Sequence, residues 1–295
     1  MSSLSKLAGY IRVTKRLLKR ASIKKEKVGN PILCGELLVG RTVLITGGSS
    51  GIGLAMAKAF IRNGAAVVVA SRSRKRIDLA LAEISDQYED ATIDGVEFDV
   101  STDEEAAFVR LLEEAESTIG RPIDALVNNA GVIAGGSIPN TTMGGYSLAL
   151  DTNLRGAYFL SQAFSKQLIS EKRKGNILNV CSSSSVRPAI SPYTVSKWGM
   201  RGLTLGLAKA LVRHGIVVNG IAPGPTATPM LADSEDGNLN NPGVPAGRYV
   251  TAEEIANMAV VLLSDLSRMV VGDIVYMTGG CGNLTFDDMD YTIRL

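Results

Sequence analysis

From residue 40 onward the sequence alternates between two kinds of segment, and that alternation leaves few folds open. Short apolar runs rich in β-branched residues read as strands: "RTVLIT" (41–46), "AAVVVAS" (65–71), "TIDGVEFDV" (92–100), "DALVNNAG" (124–131), "GNILNVCSS" (175–183), "IVVNGIAPG" (216–224) and "GDIVYMTGG" (272–280). Between them lie segments of helical period at 54–64, 74–88, 102–120, 143–168, 193–215 and 251–265. Runs that are apolar throughout belong to strands covered on both faces, and strands separated by helices pair in parallel. The expected fold is therefore α/β, a doubly wound, mostly parallel sheet of about seven strands, with ligands bound beyond the carboxyl ends of the strands. One domain is expected at about 40–280, with an extension at 1–39 and a tail at 281–295.

The glycine-rich turn "TGGSSGIG" (46–53) lies between the first strand and the first helix, where such sheets bind a dinucleotide pyrophosphate. Gly47 lets the chain leave the strand tightly, Gly51 clears the path of the phosphates, and Gly53 lets the helix approach the sheet. Backbone N–H groups of Ser49, Ser50 and Ile52 and the helix dipole then face the anion. At the end of the second strand, where an acidic residue would hold an unphosphorylated ribose, the chain reads "VVVASRSRKR". Ser71 can donate a hydrogen bond to a 2′-phosphate and Arg72 can pair with it as a fork, with Arg74 and Lys75 nearby. This predicts NADP(H) in preference to NAD(H).

"SPYTVSKWGM" (191–200) places Lys197 four residues after Tyr193, on the same helix face. A free phenol has a pKa of about 10. A fixed cation beside it favours the phenolate and so proton exchange near neutrality. The chain holds one histidine, His214, which removes Ser–His–Asp hydrolysis and His-based metal clusters, and no metal site is expected. His214 itself reads as a contact at a helix end. The three cysteines, Cys34, Cys181 and Cys281, form no disulfide framework and no CxxC pattern, which suits a reducing, cytoplasmic setting. Cys181 reads as a buried structural thiol.

The ordered set "TGGSSGIG" at 46, "FDV" at 98, "NNAG" at 128, Asn153 in "DTNLRG", "NVCSS" at 179, "YTVSK" at 193, "PGPTATPM" at 223, "GRYVTAEEIA" at 247 and "MTGG" at 277 resembles the short-chain dehydrogenase/reductase family over roughly 40–280. The resemblance implies a Rossmann-like catalytic domain that interconverts a carbonyl and an alcohol by hydride transfer. It also implies roles: Tyr193 the acid/base, Lys197 its electrostatic partner, Ser182 a substrate-orienting hydroxyl and Asn153 the anchor of a water relay. Asp99 and Val100 resemble the pair flanking the adenine. Asn128, Asn129, Ala130 and Gly131 resemble the turn on the adenosine side, while Pro223, Gly224, Thr226 and Thr228 belong to the motif near the nicotinamide.

The chain also departs from that pattern. Ser182 and Tyr193 are 11 positions apart, about two fewer than is common in the family, and four consecutive serines leave Ser184 as the alternative to Ser182. Thr278 stands where an aspartate is frequent, and Trp198 reads as core or interface. The loop 230–248 occupies the place of the substrate lid and is polar, pointing to a small or polar, sugar-like substrate; no nucleic-acid partner is expected. A non-catalytic dinucleotide sensor or scaffold is the alternative. Helices like those at 143–168 and 193–215 pair between subunits in this family, implying a homodimer or homotetramer. Residues 1–28 carry nine Lys or Arg against one acid, a local +8 in a chain of net +2, so the rest carries −6. The basic, amphipathic segment suits weak contact with an anionic membrane surface, or packing on the chain's own body or a second subunit.

Overall fold

In a computed structural model describing residues 35–227 and 239–284, the apolar runs form one sheet. The strands are β1 (Thr42–Thr46), β2 (Ala66–Ser71), β3 (Ile93–Glu97), β4 (Ala125–Asn128), β5 (Gly175–Val180), β6 (Ile216–Pro223) and β7 (Ile274–Met277). All pair in parallel, in the order β3-β2-β1-β4-β5-β6-β7. The helices are α1 (Gly51–Arg62), α2 (Arg74–Gln87), α3 (Glu105–Ile119), α4 (Met143–Leu150), α5 (Gly156–Ser170), α6 (Pro192–Leu211) and α7 (Ala252–Leu263). The basic segment 1–28, the first part of the lid with Thr228, and most of the C-terminal tail lie outside the described residues.

Alternation along each strand divides the core between two layers. Val43, Ile45, Val67 and Val69 pack with Phe60 of α1, Ile77 of α2 and Ile255 of α7. Leu44, Val68 and Leu126 face the other way, onto Phe108 of α3, Phe164 of α5 and Leu211 of α6. Every residue of β1 is buried, as a strand covered on both faces requires. The strand order reverses between β1 and β4, which opens a crevice beyond their carboxyl ends.

Several boundaries differ from the sequence pattern, three of them at the crevice or along the helices beside it. The expected strand at 124–131 ends at Asn128, because the chain then turns to line the crevice. The helix expected from 102 begins at Glu105, because Thr102 Oγ1 accepts a hydrogen bond from Glu104 N instead of capping a helix there. The helix expected over 143–168 is interrupted by a π turn, Asp151–Arg155, between α4 and α5. One extra residue in a helical turn leaves the hydrophobic period on either side almost unchanged, so the pattern does not betray it.

The α7 helix packs on α1 and thereby backs the glycine loop. Its start is a capping box: Glu254 N donates to Thr251 Oγ1 at 3.1 Å, and Thr251 N donates to Glu254 Oε2 at 2.9 Å. The Arg248 guanidinium, at 2.6 Å, together with the Thr251 N–H, holds the Glu254 carboxyl down to about 2. A carboxyl depressed in the folded state stabilises above its ordinary range, and that contribution disappears as pH falls through the folded value. Glu254→Gln is expected to lower Tm at pH 7 by about 2–4 °C. It should also flatten the loss of Tm between about pH 4.5 and pH 2, measured by scanning calorimetry across pH.

Candidate active site

A cavity of about 910 Å³ occupies the crevice at the carboxyl ends of the strands. Its floor is the glycine loop. Gly47 and Gly51 have φ of +67° and +53°, in the left-handed region that favours glycine. A Cβ on Gly53 would run into the Gly47 carbonyl oxygen, so α1 reaches the loop only because that position is bare. The loop is also tied from behind: Asn129 Nδ2 donates to Thr46 O at 2.9 Å and Gly47 O at 3.1 Å. Thr46 Oγ1 in turn accepts from Asn129 N and Ala130 N, both at 3.1 Å. The tie through Thr46 joins β1 to the turn after β4 and was not singled out in the sequence.

Helices α2, α4, α6 and α7 each have a side-chain N-cap, whereas α1 has none and no acid in its first turn. Its first N–H groups open onto the cavity beside Ser49, Ser50 and Ile52. An uncapped helix start at a bare glycine cradle fits a pyrophosphate.

At the end of β2, Ser71, Arg72 and Arg76 line the cavity, and Ser49 Oγ donates to Ser71 Oγ at 2.9 Å. Arg74 instead turns back to Asp78 at 2.7 Å and donates to Gly95 O at 2.9 Å. Arg76 was hidden in the "RSRKR" run, since the facing of a first-turn side chain depends on where α2 begins. Val100, Ala130 and Gly131 line the cavity, whereas Asp99 does not. Its Oδ1 accepts from Ser101 N at 2.9 Å and Ser101 Oγ at 2.7 Å and so holds the local turn. Asn128 also faces away, donating to Ser161 Oγ and Asn179 Oδ1, each at 2.9 Å, in a buried link between β4, β5 and α5.

The other end of the cavity belongs to β5 and α6. Ser191 and Thr194 form a capping box with Pro192 in the first turn, fixing the start of α6 one residue before Tyr193. One turn on, Lys197 is 5% exposed; its ammonium donates to Val180 O at 2.9 Å and lies 5.8 Å from the centre of the Tyr193 ring. Among the described residues that carbonyl is its only hydrogen-bond partner, so two of its three donors remain for a ligand. Ser182 stands two residues past the end of β5, lines the cavity, and its Oγ accepts from Ser184 N at 3.1 Å. Ser184 lines the cavity too, while Ser185 is fully buried, with Oγ donating to Ser182 O at 2.7 Å.

Asn153 does not line the cavity. It sits buried in the π turn, where Oδ1 accepts from Val132 N at 2.7 Å and Nδ2 donates to Val132 O and Ser196 Oγ, both at 3.0 Å. Ser196 Oγ passes this on to Tyr193 O at 2.7 Å. The π turn thus ties the loop after β4 to the first turn of α6. Pro223, Gly224 and Thr226 close the cavity after β6. Thr278 is buried behind Gly224, its Oγ1 accepting from Gly280 N at 3.2 Å. His214 is exposed in the turn Val212–His214, and the cap there is Gly215 at φ +76°.

Burial pushes the Cys181 thiol up to about 11, against the opposing pull of Lys197. The thiol is expected to resist iodoacetamide at pH 8 in the folded protein and to react only on unfolding. Peptide mass spectrometry checks this; rapid labelling of Cys181 under native conditions would contradict the geometry.

A family model described as short chain dehydrogenase matches residues 41–239. Gluconate 5-dehydrogenase of Gluconobacter oxydans is 36% identical over 249 residues, covering 82% of this chain and 95% of that protein. The 3alpha-hydroxysteroid dehydrogenase of Mediterraneibacter gnavus is 34% identical over 247 residues, covering 82% and 97%. Among solved structures, a variant of actinorhodin polyketide ketoreductase with NADPH is similar at a TM-score of 0.74 and 29% identity, over 82% of this chain and 97% of that one.

Proposed function

The chain belongs to the short-chain dehydrogenase family, oxidoreductases that bind a dinucleotide and act on CH–OH groups, and from that premise we propose that it interconverts a carbonyl and an alcohol on a small, polar, sugar-like substrate with NADP(H). The observation that carries this reading is the buried Lys197 ammonium, held by a backbone carbonyl, without a carboxylate, beside the Tyr193 ring at the cavity. A buried cation with no acidic partner is costly unless a site requires it.

The glycine loop, the start of α1 and Lys197 would hold the cofactor, with Ser71, Arg72 and Arg76 on a 2′-phosphate. When bound, the nicotinamide supplies the hydride for reduction or accepts it in oxidation. The chain's own groups handle the oxygen. Ser182 Oγ donates a hydrogen bond to the carbonyl oxygen and favours the charge that develops there. Tyr193 gives its phenolic proton to the same oxygen, and in the reverse direction takes it back. Lys197 favours the phenolate left behind through its charge. Both amide donors of the Asn153 side chain are taken by Val132 and Ser196, so a proton relay through this residue would run along its backbone carbonyl in the π turn.

Two features support NADP(H): three hydrogen-bonding side chains at the end of β2, and no acid among the residues lining the cavity there. The polar lining at the Ser182 end, with Ser183 and Ser184, favours a hydroxylated substrate over a steroid-like one. Outward apolar residues on α5 and α6, Tyr158 and Leu205, suit a homodimer or homotetramer.

Tyr193→Phe is expected to lower kcat by about 10²- to 10⁴-fold while leaving NADPH binding intact. Near-normal turnover in that variant would overturn the reading. Arg72→Ala should raise the KM for NADPH roughly tenfold with little change for NADH, in steady-state assays with both cofactors. Equal effects on both would remove the 2′-phosphate contact.

A further inference from the structure

We propose that Arg187 selects the substrate by pairing with a carboxylate carried on the same molecule as the reacting carbonyl, so that the enzyme works on hydroxy- and oxo-acids of the sugar type. The proposal rests on the oxidoreductase reading above and adds to it the charge that the substrate must bear.

Arg187 lines the cavity at the end that holds Ser182 and Tyr193, far along the chain from the arginines after β2. It stands between the two candidate catalytic residues, five positions after one and six before the other. The intervening Ser183–Val186 is a 3₁₀ turn. At a rise of about 2 Å per residue, such a turn keeps the Ser182 and Arg187 backbones within about 10 Å of each other. A carboxylate several bonds from the carbonyl carbon spans such a gap once the arginine side chain reaches inward.

The backbone at Arg187 is fixed without using its guanidinium. Pro188 restricts the preceding residue to extended conformations, and Arg187 sits at φ −107°, ψ 156°. Trp198 Nε1 donates to Arg187 O at 2.7 Å. Arg201 stacks on that indole at 5.5 Å and donates to Ser185 O at 3.4 Å. Trp198, expected in a core or an interface, is thus half-exposed and clamps the loop that carries Arg187. Among the described residues no carboxylate or other side chain engages the Arg187 guanidinium, which leaves its fork of donors free.

The charge pattern of the whole cavity agrees. Among the described residues four cations, Arg72, Arg76, Arg187 and Lys197, line it, and no Asp or Glu does. This is not general basicity, because the chain beyond residue 28 carries −6. The cations after β2 answer a cofactor phosphate and Lys197 answers the tyrosine, which leaves Arg187 without an anion. One guanidinium matches a single-charged carboxylate better than a doubly charged phosphate.

The test compares wild type with Arg187→Met and Arg187→Lys on matched probes: 5-keto-D-gluconate as the acid, D-fructose as the neutral ketose and D-fructose 6-phosphate as the phosphorylated one. Arg187→Met should raise the KM for the acid by about 10- to 100-fold with a smaller change in kcat. It should leave the neutral ketose and the NADPH dissociation constant unchanged, and Arg187→Lys should recover part of the loss. Trp198 is the only tryptophan, and its indole touches the Arg187 loop, so its fluorescence reports binding without turnover. Titration of the NADPH-loaded protein with D-gluconate should change that signal in wild type and not in Arg187→Met. Equal loss for acid and neutral ketose overturns the proposal, as does a preference for the phosphorylated sugar that disappears in Arg187→Met. A D-gluconate signal that is absent in wild type or persists in Arg187→Met also overturns it, even if neutral carbonyls are turned over. A signal that depends on Arg187 in a protein that reduces none of the probes would instead sustain the carboxylate site and count against the oxidoreductase reading.

Discussion

The arrangement depends on one charge placed where charges rarely sit. Lys197 is almost fully buried, its ammonium donates to a single backbone carbonyl at the end of β5, and among the described residues no acid pairs with it. Removing an ammonium from water costs several kcal/mol after relaxation, so the fold has to supply the position from many sides. The capping box at Ser191 sets the start of α6, β5 presents Val180, and the π turn pins Val132 and the first turn of α6 through Asn153 and Ser196. Each of these ties would be unremarkable alone. Together they hold a cation, a phenol and a serine hydroxyl around one cavity.

That cavity is built for ligands that carry negative charge. The uncapped start of α1, the arginines after β2 and the free guanidinium at the opposite end all present donors, while the acids among the described residues stay outside its lining. A field of one sign inside a low-dielectric cleft raises the local concentration of anions and orients them before any contact forms. The rigidity of the parallel sheet matters here, because both ends of the cavity are set by strands of one continuous ladder.

Much of this was legible in the sequence because it follows from spacing along the chain. The apolar runs gave the strands, glycines at 47, 51 and 53 marked the cradle, and the four-residue step from Tyr193 to Lys197 put both on one helix face. Features that depend on contacts between distant segments were not legible. The tie from Thr46 to the turn after β4 joins residues more than eighty positions apart. The π turn is one residue of slack within a helix and has no compositional mark. Asp99, whose place in a motif suggested a ligand contact, does not line the cavity and has one carboxylate oxygen accepting from Ser101. Arg187 escaped notice and Trp198 read only as core or interface, because an arginine in a loop and a tryptophan on a helix are ordinary until the structure shows one clamping the other's backbone.

The central claim concerns where the reacting oxygen lies, and a crystal structure of the protein with NADPH and an unreactive carbonyl analogue measures it directly. The account predicts an oxygen within hydrogen-bond reach, about 2.6–3.2 Å, of both Ser182 Oγ and Tyr193 Oη, with the ribose near Lys197. A nucleotide seated away from the glycine loop, or a carbonyl oxygen turned from Tyr193, would contradict it.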